Sequence, residues 1–272
     1  MKIVLNPIKA DIFQQIFQNI KVFTDAITMQ LSPTDGLYLQ CMDSSHVSIM
    51  DFKIPAAWFS VFDAFKATTI SLSANLFSKI LSTRDRSQQV VLELEGEDVL
   101  RISFENMPSE SSAAAVAMAS TASVFKKEFE LPLMEIESDL LQIPTTEYEV
   151  EMAMPSAYFS SLISQMQMFS DDVDFHCSEQ AIVMASISKE SGSMRVVVDI
   201  ERLDEFSINE GDTVRVGYSL KYLHNICTFH KLSKEVRLNI SPSMPMKIVY
   251  GVEGGWTIDF YLAPKIRDED DE

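Results

Sequence analysis

Hydrophobic residues recur along this chain in two rhythms, helical and alternating, and the same order of rhythms occurs twice. Ile12, Phe13, Ile16, Phe17, Ile20 and Phe23 fall at helical spacing, with Gln14, Gln15, Gln18, Asn19 and Lys21 on the opposite side. An amphipathic helix is predicted over 11–23. Period-two segments follow: Ile27, Met29 and Leu31, a turn signal over 33–36, then Leu37, Leu39 and Cys41. Leu76, Phe77, Ile80 and Leu81 predict a short helix within 74–83, and VVLELEGEDVLRISF predicts a hairpin turning at Gly96. The series then restarts. Phe159, Leu162, Ile163, Met166 and Phe169 predict a helix over 156–168, against Ser160, Ser161, Ser164, Gln165 and Gln167. Val173, Phe175 and Cys177, then Ile182 and Met184, then Met194, Val196 and Val198 predict strands. Leu220, Leu223, Ile226 and Cys227 predict a helix within 219–230, and EVRLNISPSMPMKIVY a hairpin turning near Pro242.

A fixed offset relates the two series, since adding 146 carries Phe13 to Phe159, Phe23 to Phe169, Asp25 to Asp171, Ser73 to Ser219 and Ile80 to Ile226. Leu100, Arg101, Ile102 and Phe104 fall on Met246, Lys247, Ile248 and Tyr250. A register held over this length indicates duplication. The expected organisation is a first domain at 1–132, a connector at 133–146 and a second domain with an acidic tail at 147–272. Strands joined by tight turns imply antiparallel sheets, with helices packed on one face, so the fold class is α+β, twice over. SESSAAAVAMASTAS at 109–123 has no counterpart in the second series and reads as a surface loop or an Ala-rich helical turn.

Composition narrows the function classes. The chain is 46% hydrophobic and 23% charged, and no apolar run approaches the ~20 residues of a bilayer helix, so a soluble globular protein is expected. No secretory signal is expected from the opening MKIVLNPIKADIF. Cys41, Cys177 and Cys227 are odd in number and far apart, which argues against a disulfide framework or a paired-cysteine metal site and for a reducing compartment. The formal charge of −18 opposes binding to a polyanion as a whole, so any contact with DNA needs its cations gathered in one place. The four predicted helices carry Lys21, Lys79 and Lys221 against Asp11, a net +2, which leaves −20 on the remainder. Arg84, Arg86, His230 and Lys231 follow two of those helices directly.

The stretch MDSSHVSIM at 42–50 gathers Asp43, Ser44, Ser45 and His46. A hydrolytic triad draws its members from separate parts of a fold, whereas near-consecutive residues in an extended loop point to opposite sides, so a triad is not expected. His224 and His230 are six apart, the wrong spacing for a helical metal pair. Asp171, Asp172 and Asp174 lack the glycine and terminal glutamate of a calcium loop. No phosphate-binding glycine motif is present, and no cofactor or metal is expected.

MDSSHVSIM, SKIL at 78–81, LMEIESDLLQIP at 133–144, MPS at 154–156 and the ending YLAPKIRDEDDE together resemble the proliferating cell nuclear antigen family, the eukaryotic sliding clamps. The resemblance implies a ring of three two-domain subunits that encircles duplex DNA, helices inward, and tethers polymerase, clamp loader and other replication and repair proteins without catalysis of its own. It implies a partner-peptide groove of Met42, His46, Val47, Ile49, Leu141, Ile143, Pro144, Pro245, Tyr261, Ala263 and Pro264, suited to a short helical peptide with apolar anchors. It implies DNA-facing cations at Lys21, Lys79 and Lys221, supplemented by Arg84, Arg86 and Lys231. Gln14, Gln15, Ser82, Ser161 and Ser164 stand where the family usually has Lys or Arg, so a loosely held ring is expected. The subunit interface is expected between Phe125, Lys127, Phe129 and Leu131 of one copy and Met194, Val196, Val198 and Ile200 of the next. Glu179 stands where the family's regulatory lysine falls. The expected location is nuclear, or a cytoplasmic replication site if the gene is viral. A checkpoint-type subunit of a heterotrimer, an acidic scaffold that does not encircle DNA, and a hydrolase using Asp43, Ser45 and His46 are the competing readings; loss of activity on His46 substitution would mark the last.

Overall fold

The structure is a computed structural model describing residues 1–94, 96, 98–106, 125–136, 140–143 and 147–266. The chain folds into two compact units, Met1–Cys41 with Phe52–Leu140, and Met42–Asp51 with Leu141–Glu272. The loop of MDSSHVSIM, although it lies in the first sequence repeat, therefore belongs to the second unit.

In the first repeat β1 (Lys2–Leu5) leads into α1 (Pro7–Ile20). The helix begins earlier than its apolar spacing predicts because Asn6 caps it, accepting from Lys9 N at 2.9 Å, and Pro7 sits in the first turn, where no amide proton is needed. Then come β2 (Ala26–Ser32), β3 (Gly36–Met42), β4 (Ser48–Ile54), β5 (Val61–Asp63), β6 (Thr68–Ser73), α2 (Ala74–Leu81), β7 (Gln88–Leu94), β8 (Val99–Asn106) and β9 (Lys127–Pro132). The second repeat has the same order: β10 (Val150–Pro155), α3 (Ser156–Met166), β11 (Asp172–Ser178), β12 (Ile182–Ser188), β13 (Gly192–Val198), β14 (Glu205–Ile208), β15 (Thr213–Ser219), α4 (Leu220–Cys227), β16 (Glu235–Ile240), β17 (Met246–Val252) and β18 (Trp256–Leu262). The offset of 146 carries the bounds of β2, β3 and α2 onto those of β11, β12 and α4 residue for residue.

Within the first unit one antiparallel sheet runs β5-β1-β7-β8-β9, and β6, β2 and β3 pair in a second. Within the second unit the strands run β14-β10-β16-β17-β18, with β4 next to β18, and β13-β12-β11-β15. Each repeat closes its core over two helices. Phe13, Phe17 and Phe77 from α1 and α2 are fully buried with ring centroids 4.5 to 6.2 Å apart, and at the matching positions Phe159, Ile163 and Leu223 are equally buried. Such aromatic pairs add ~1 kcal/mol each beyond their area. The 109–123 segment and the acidic tail beyond Ile266 lie outside the described residues.

Candidate functional site

Asp43 organises the loop that follows β3. Its carboxylate is buried and accepts from the backbone of Ser45 at 2.8 Å and of Val47 at 2.9 Å, and from both the backbone and the hydroxyl of Ser48. The amides of Asp43 and His46 close the turn on Ser48 O and Asp43 O. A carboxylate so occupied cannot orient an imidazole as a triad would. His46, at the tip, is exposed and holds φ +59°, a left-handed conformation that costs an L-residue about 1 kcal/mol. Two of the three cysteines are packing groups: burial pushes the Cys177 and Cys227 thiols up to about 12, so they stay protonated at neutral pH.

The described residues expected in the groove all belong to the second unit. Met42, Val47, Ile49, Ile143, Pro245, Tyr261, Ala263 and Pro264 are half-buried, and Leu141 is exposed. The amide of Ala263 donates to Val47 O at 2.9 Å, which joins the tail after β18 to the Asp43 loop. Pro144 lies outside the described residues. On β17 Lys247, directly opposite Tyr261 on β18, pairs with Asp259 at 2.8 Å and lies 5.7 Å from the Tyr261 ring centre. Burial pulls Lys247 down, but Asp259 and Tyr261 outweigh it and hold the ammonium above its ordinary value; burial first, with Asp259 and Asp51, raises the Tyr261 phenol. Sequence reasoning misses this pair; the one signal it offers is the repeat register, which sets Lys247 against Arg101, a second cation on a late strand.

Of the cations expected to face DNA, Lys21, Lys79, Arg86, Lys221 and Lys231 are exposed. Arg84 is not among them. Its guanidinium is buried, pairs with Asp11 of α1 and donates to Asp85 O, Arg86 O and Gln88 O at 3.3, 3.2 and 2.7 Å. It tethers α1 to the turn after α2, so the DNA-facing expectation for Arg84 is corrected. The outward side of α3 carries Tyr158, Ser161, Ser164, Gln165 and, just beyond it, Met168, with no charge.

The two expected interface strands both lie last in their sheets. On β9 Lys127 and Phe129 are half-buried and Phe125, just before it, is 69% exposed. Leu131 is 1% exposed; its side chain is spent in the core of its own unit, so only its backbone can serve an interface. On β13 Met194, Val196 and Val198 are half-buried, whereas Ile200 lies beyond the strand in a 3-10 turn. Other sheet ends are short or covered. β5 and β14 have 3 and 4 residues, while β6 and β15 each receive a backbone bond from the segment after the last strand of their repeat, Met134 N to Ser71 O and Lys265 N to Gly217 O, both at 2.8 Å. Glu179, the departure from the family's lysine, accepts from Gly211 N at 2.7 Å.

Family comparisons give the same outline. The model described as the proliferating cell nuclear antigen N-terminal domain matches residues 5–139, and that of its C-terminal domain matches 142–265. The proliferating cell nuclear antigen of Chaetomium thermophilum is 28% identical over 269 residues, covering 96% of this chain and 97% of that one. The Caenorhabditis elegans protein of the same name is 25% identical, covering 96% of each. Among solved structures, the PCNA2-PCNA3 complex of Sulfolobus tokodaii superposes with a TM-score of 0.80 at 22% identity over 97% of this chain and 99% of that one, a likeness of fold.

Proposed function

The chain belongs to the proliferating cell nuclear antigen family, and from that premise we propose how its own residues do the work of a DNA sliding clamp. It is a processivity factor with no catalytic activity, a ring that surrounds duplex DNA and docks polymerases and other replication proteins. In the proposed assembly three identical copies close head to tail, β9 of each against β13 of the next. The observation that carries this reading is that β9 and β13 are the two long sheet ends left uncovered among the described residues, 6 and 7 residues long, with half-buried Phe129 on the core face of β9 and half-buried Met194, Val196 and Val198 on that of β13. Open edges of that kind invite pairing with another chain.

Lys21, Lys79, Arg86, Lys221 and Lys231 face the duplex in this reading, and few phosphate contacts make the grip weak and its salt dependence shallow, about 0.9 in logarithmic slope per contact. Met42, His46, Val47, Ile49, Leu141, Ile143, Pro245, Tyr261, Ala263 and Pro264 form the groove for a short helical peptide, with Lys247 bracing the Tyr261 wall. The working compartment is the nucleus, as the eukaryotic relatives suggest. Primer extension with a polymerase carrying an aromatic-anchored peptide tests the scheme. Products lengthen when the clamp is loaded, and Tyr261→Ala returns them to the clamp-free length; product lengths indifferent to the clamp would refute it.

A further inference from the structure

The solvent face of the five-stranded sheet of the first unit carries a ladder of alternating charge. Lys2, Glu93, Arg101 and Glu130 are cross-strand neighbours in a single row over β1, β7, β8 and β9. Lys2 and Glu93 pair at 2.8 Å, Arg101 and Glu130 at 3.6 Å, and Lys126 bridges Glu105 at 3.4 Å and Glu128 at 2.8 Å. These residues line one shallow crevice, and within it three cations face four carboxylates, a net of −1. Glu130, at the free edge, has the longest of these contacts and a side chain 68% exposed.

On β13 the outward positions are Ser193, Arg195 and Val197, all exposed, while Met194, Val196 and Val198 lie on the core side opposite buried Ser186, Met184 and Ile182. Arg195 is the sole cation of that strand, and among the described residues it makes no ion pair or side-chain hydrogen bond. When two sheet edges join, side chains keep their faces, because successive residues point to opposite sides. Setting Phe129 beside Met194, Val196 and Val198 therefore sets Glu128 and Glu130 beside Ser193, Arg195 and Val197.

We propose that Arg195 completes the charge ladder of a second copy of this chain, engaging Glu130 at the β9 edge with Glu128 beside it, and that this pair orients and holds the seam of the ring. The inference rests on the head-to-tail reading above and adds the residue that selects the neighbour. With Arg195 in place the crevice is neutral; without it one carboxylate is left over. A charge pair of this kind acts mainly by penalising wrong neighbours and wrong registers.

Ultracentrifugation of the full-length chain over a range of concentrations tests the pair, with the unfolding midpoint as a control for folding. Arg195→Glu brings the seam to −2 and Glu130→Lys to +2, and each raises the half-assembly concentration about 10-fold or more. Combining both in one chain returns the seam to neutrality and restores assembly to near the unmodified level. If Arg195→Glu assembles normally, or the double variant is no better than the singles, the proposal is overturned while the ring stands. If the unmodified chain stays at 30.7 kDa at every concentration, the ring reading falls and the pair with it.

Discussion

Arg84 and His230 stand 146 residues apart, at the same place in the two repeats, just after α2 and α4. In the first repeat the turn is held from the side-chain direction: the Arg84 guanidinium gathers three carbonyls of the turn and reaches Asp11 on α1. In the second the polarity is reversed, and the hydroxyl of Ser156, at the start of α3, donates to His230 O at 2.9 Å and to Ser233 O, while His230 Nδ1 closes on Cys227 O at 2.8 Å. One packing problem, fastening the first helix to the end of the second, has an ionic solution in one half and a neutral one in the other. The β-hairpin loops diverge in the same manner. His46 at φ +59° corresponds to Gly192 at φ +89°, and the first loop is built around a buried carboxylate where the second uses the Ser188 hydroxyl to hold the amides of Glu190 and Ser191, both at 3.2 Å. A duplicated fold keeps the joint and changes the atoms, and it places the strained, charged version on the loop proposed to border the groove.

Changing these joints separates the two halves. The largest effect is expected for Arg84→Ala, which removes a buried cation, frees three carbonyls and leaves Asp11 unpaired: about 3 kcal/mol of stability is lost, read as a lower urea midpoint, with the salt slope of DNA binding unchanged because the Arg84 guanidinium is buried. Asp43→Ala deprives the loop of its acceptor and costs about 2 kcal/mol, together with a loss of peptide affinity that calorimetry would detect. Ser156→Ala, the neutral counterpart of the Arg84 change, costs about 1 kcal/mol by the same urea measurement. His46→Gly relieves the left-handed strain, so thermal unfolding shifts upward by up to about 1 kcal/mol in stability while peptide binding weakens. The smallest effect belongs to Asp35, whose carboxyl is held down to about 2 by hydrogen bonds from Lys53 first, then Thr34 and Ser32. A depressed folded pKa stabilises above the ordinary carboxylate value and is lost as pH falls through about 2. The exposed turn should therefore keep its order through pH 4, and NMR titration of Asp35 would show its midpoint below that of Asp35 in the unfolded chain.

Much of this is legible in the sequence because periodicity and duplication both report on burial. The helix faces of Phe13, Phe17 and Phe77 and the alternation along β2, β3, β11 and β12 follow from spacing alone, and the 146-residue register aligns element with element. What periodicity does not encode is the partner of a polar group. Arg84 follows a helix and looks like a surface cation; only the tertiary contact with Asp11, 73 residues away, puts it inside. Leu131 sits on an edge strand, but its alternation phase sends the side chain to the core, a phase already visible in Phe129 and Lys127. The residues of the Asp43 loop look like a cluster of reactive types, and their actual chemistry, a carboxylate satisfied by backbone amides, depends on a turn geometry that the bare order of residues does not specify. Lys247 and Asp259 lie 12 residues apart and meet only because β17 and β18 pair in register.

The central claim is topological: this chain holds DNA by surrounding it rather than by gripping it. Retention on covalently closed circular DNA, compared with the same DNA after a single cut that leaves free ends, measures that claim most directly once a clamp loader has placed the protein. The protein is expected to stay on the circle at salt concentrations that screen contacts between lysines and phosphates, and to leave promptly when the circle is cut. Equal retention on the circular and the cut DNA would contradict it.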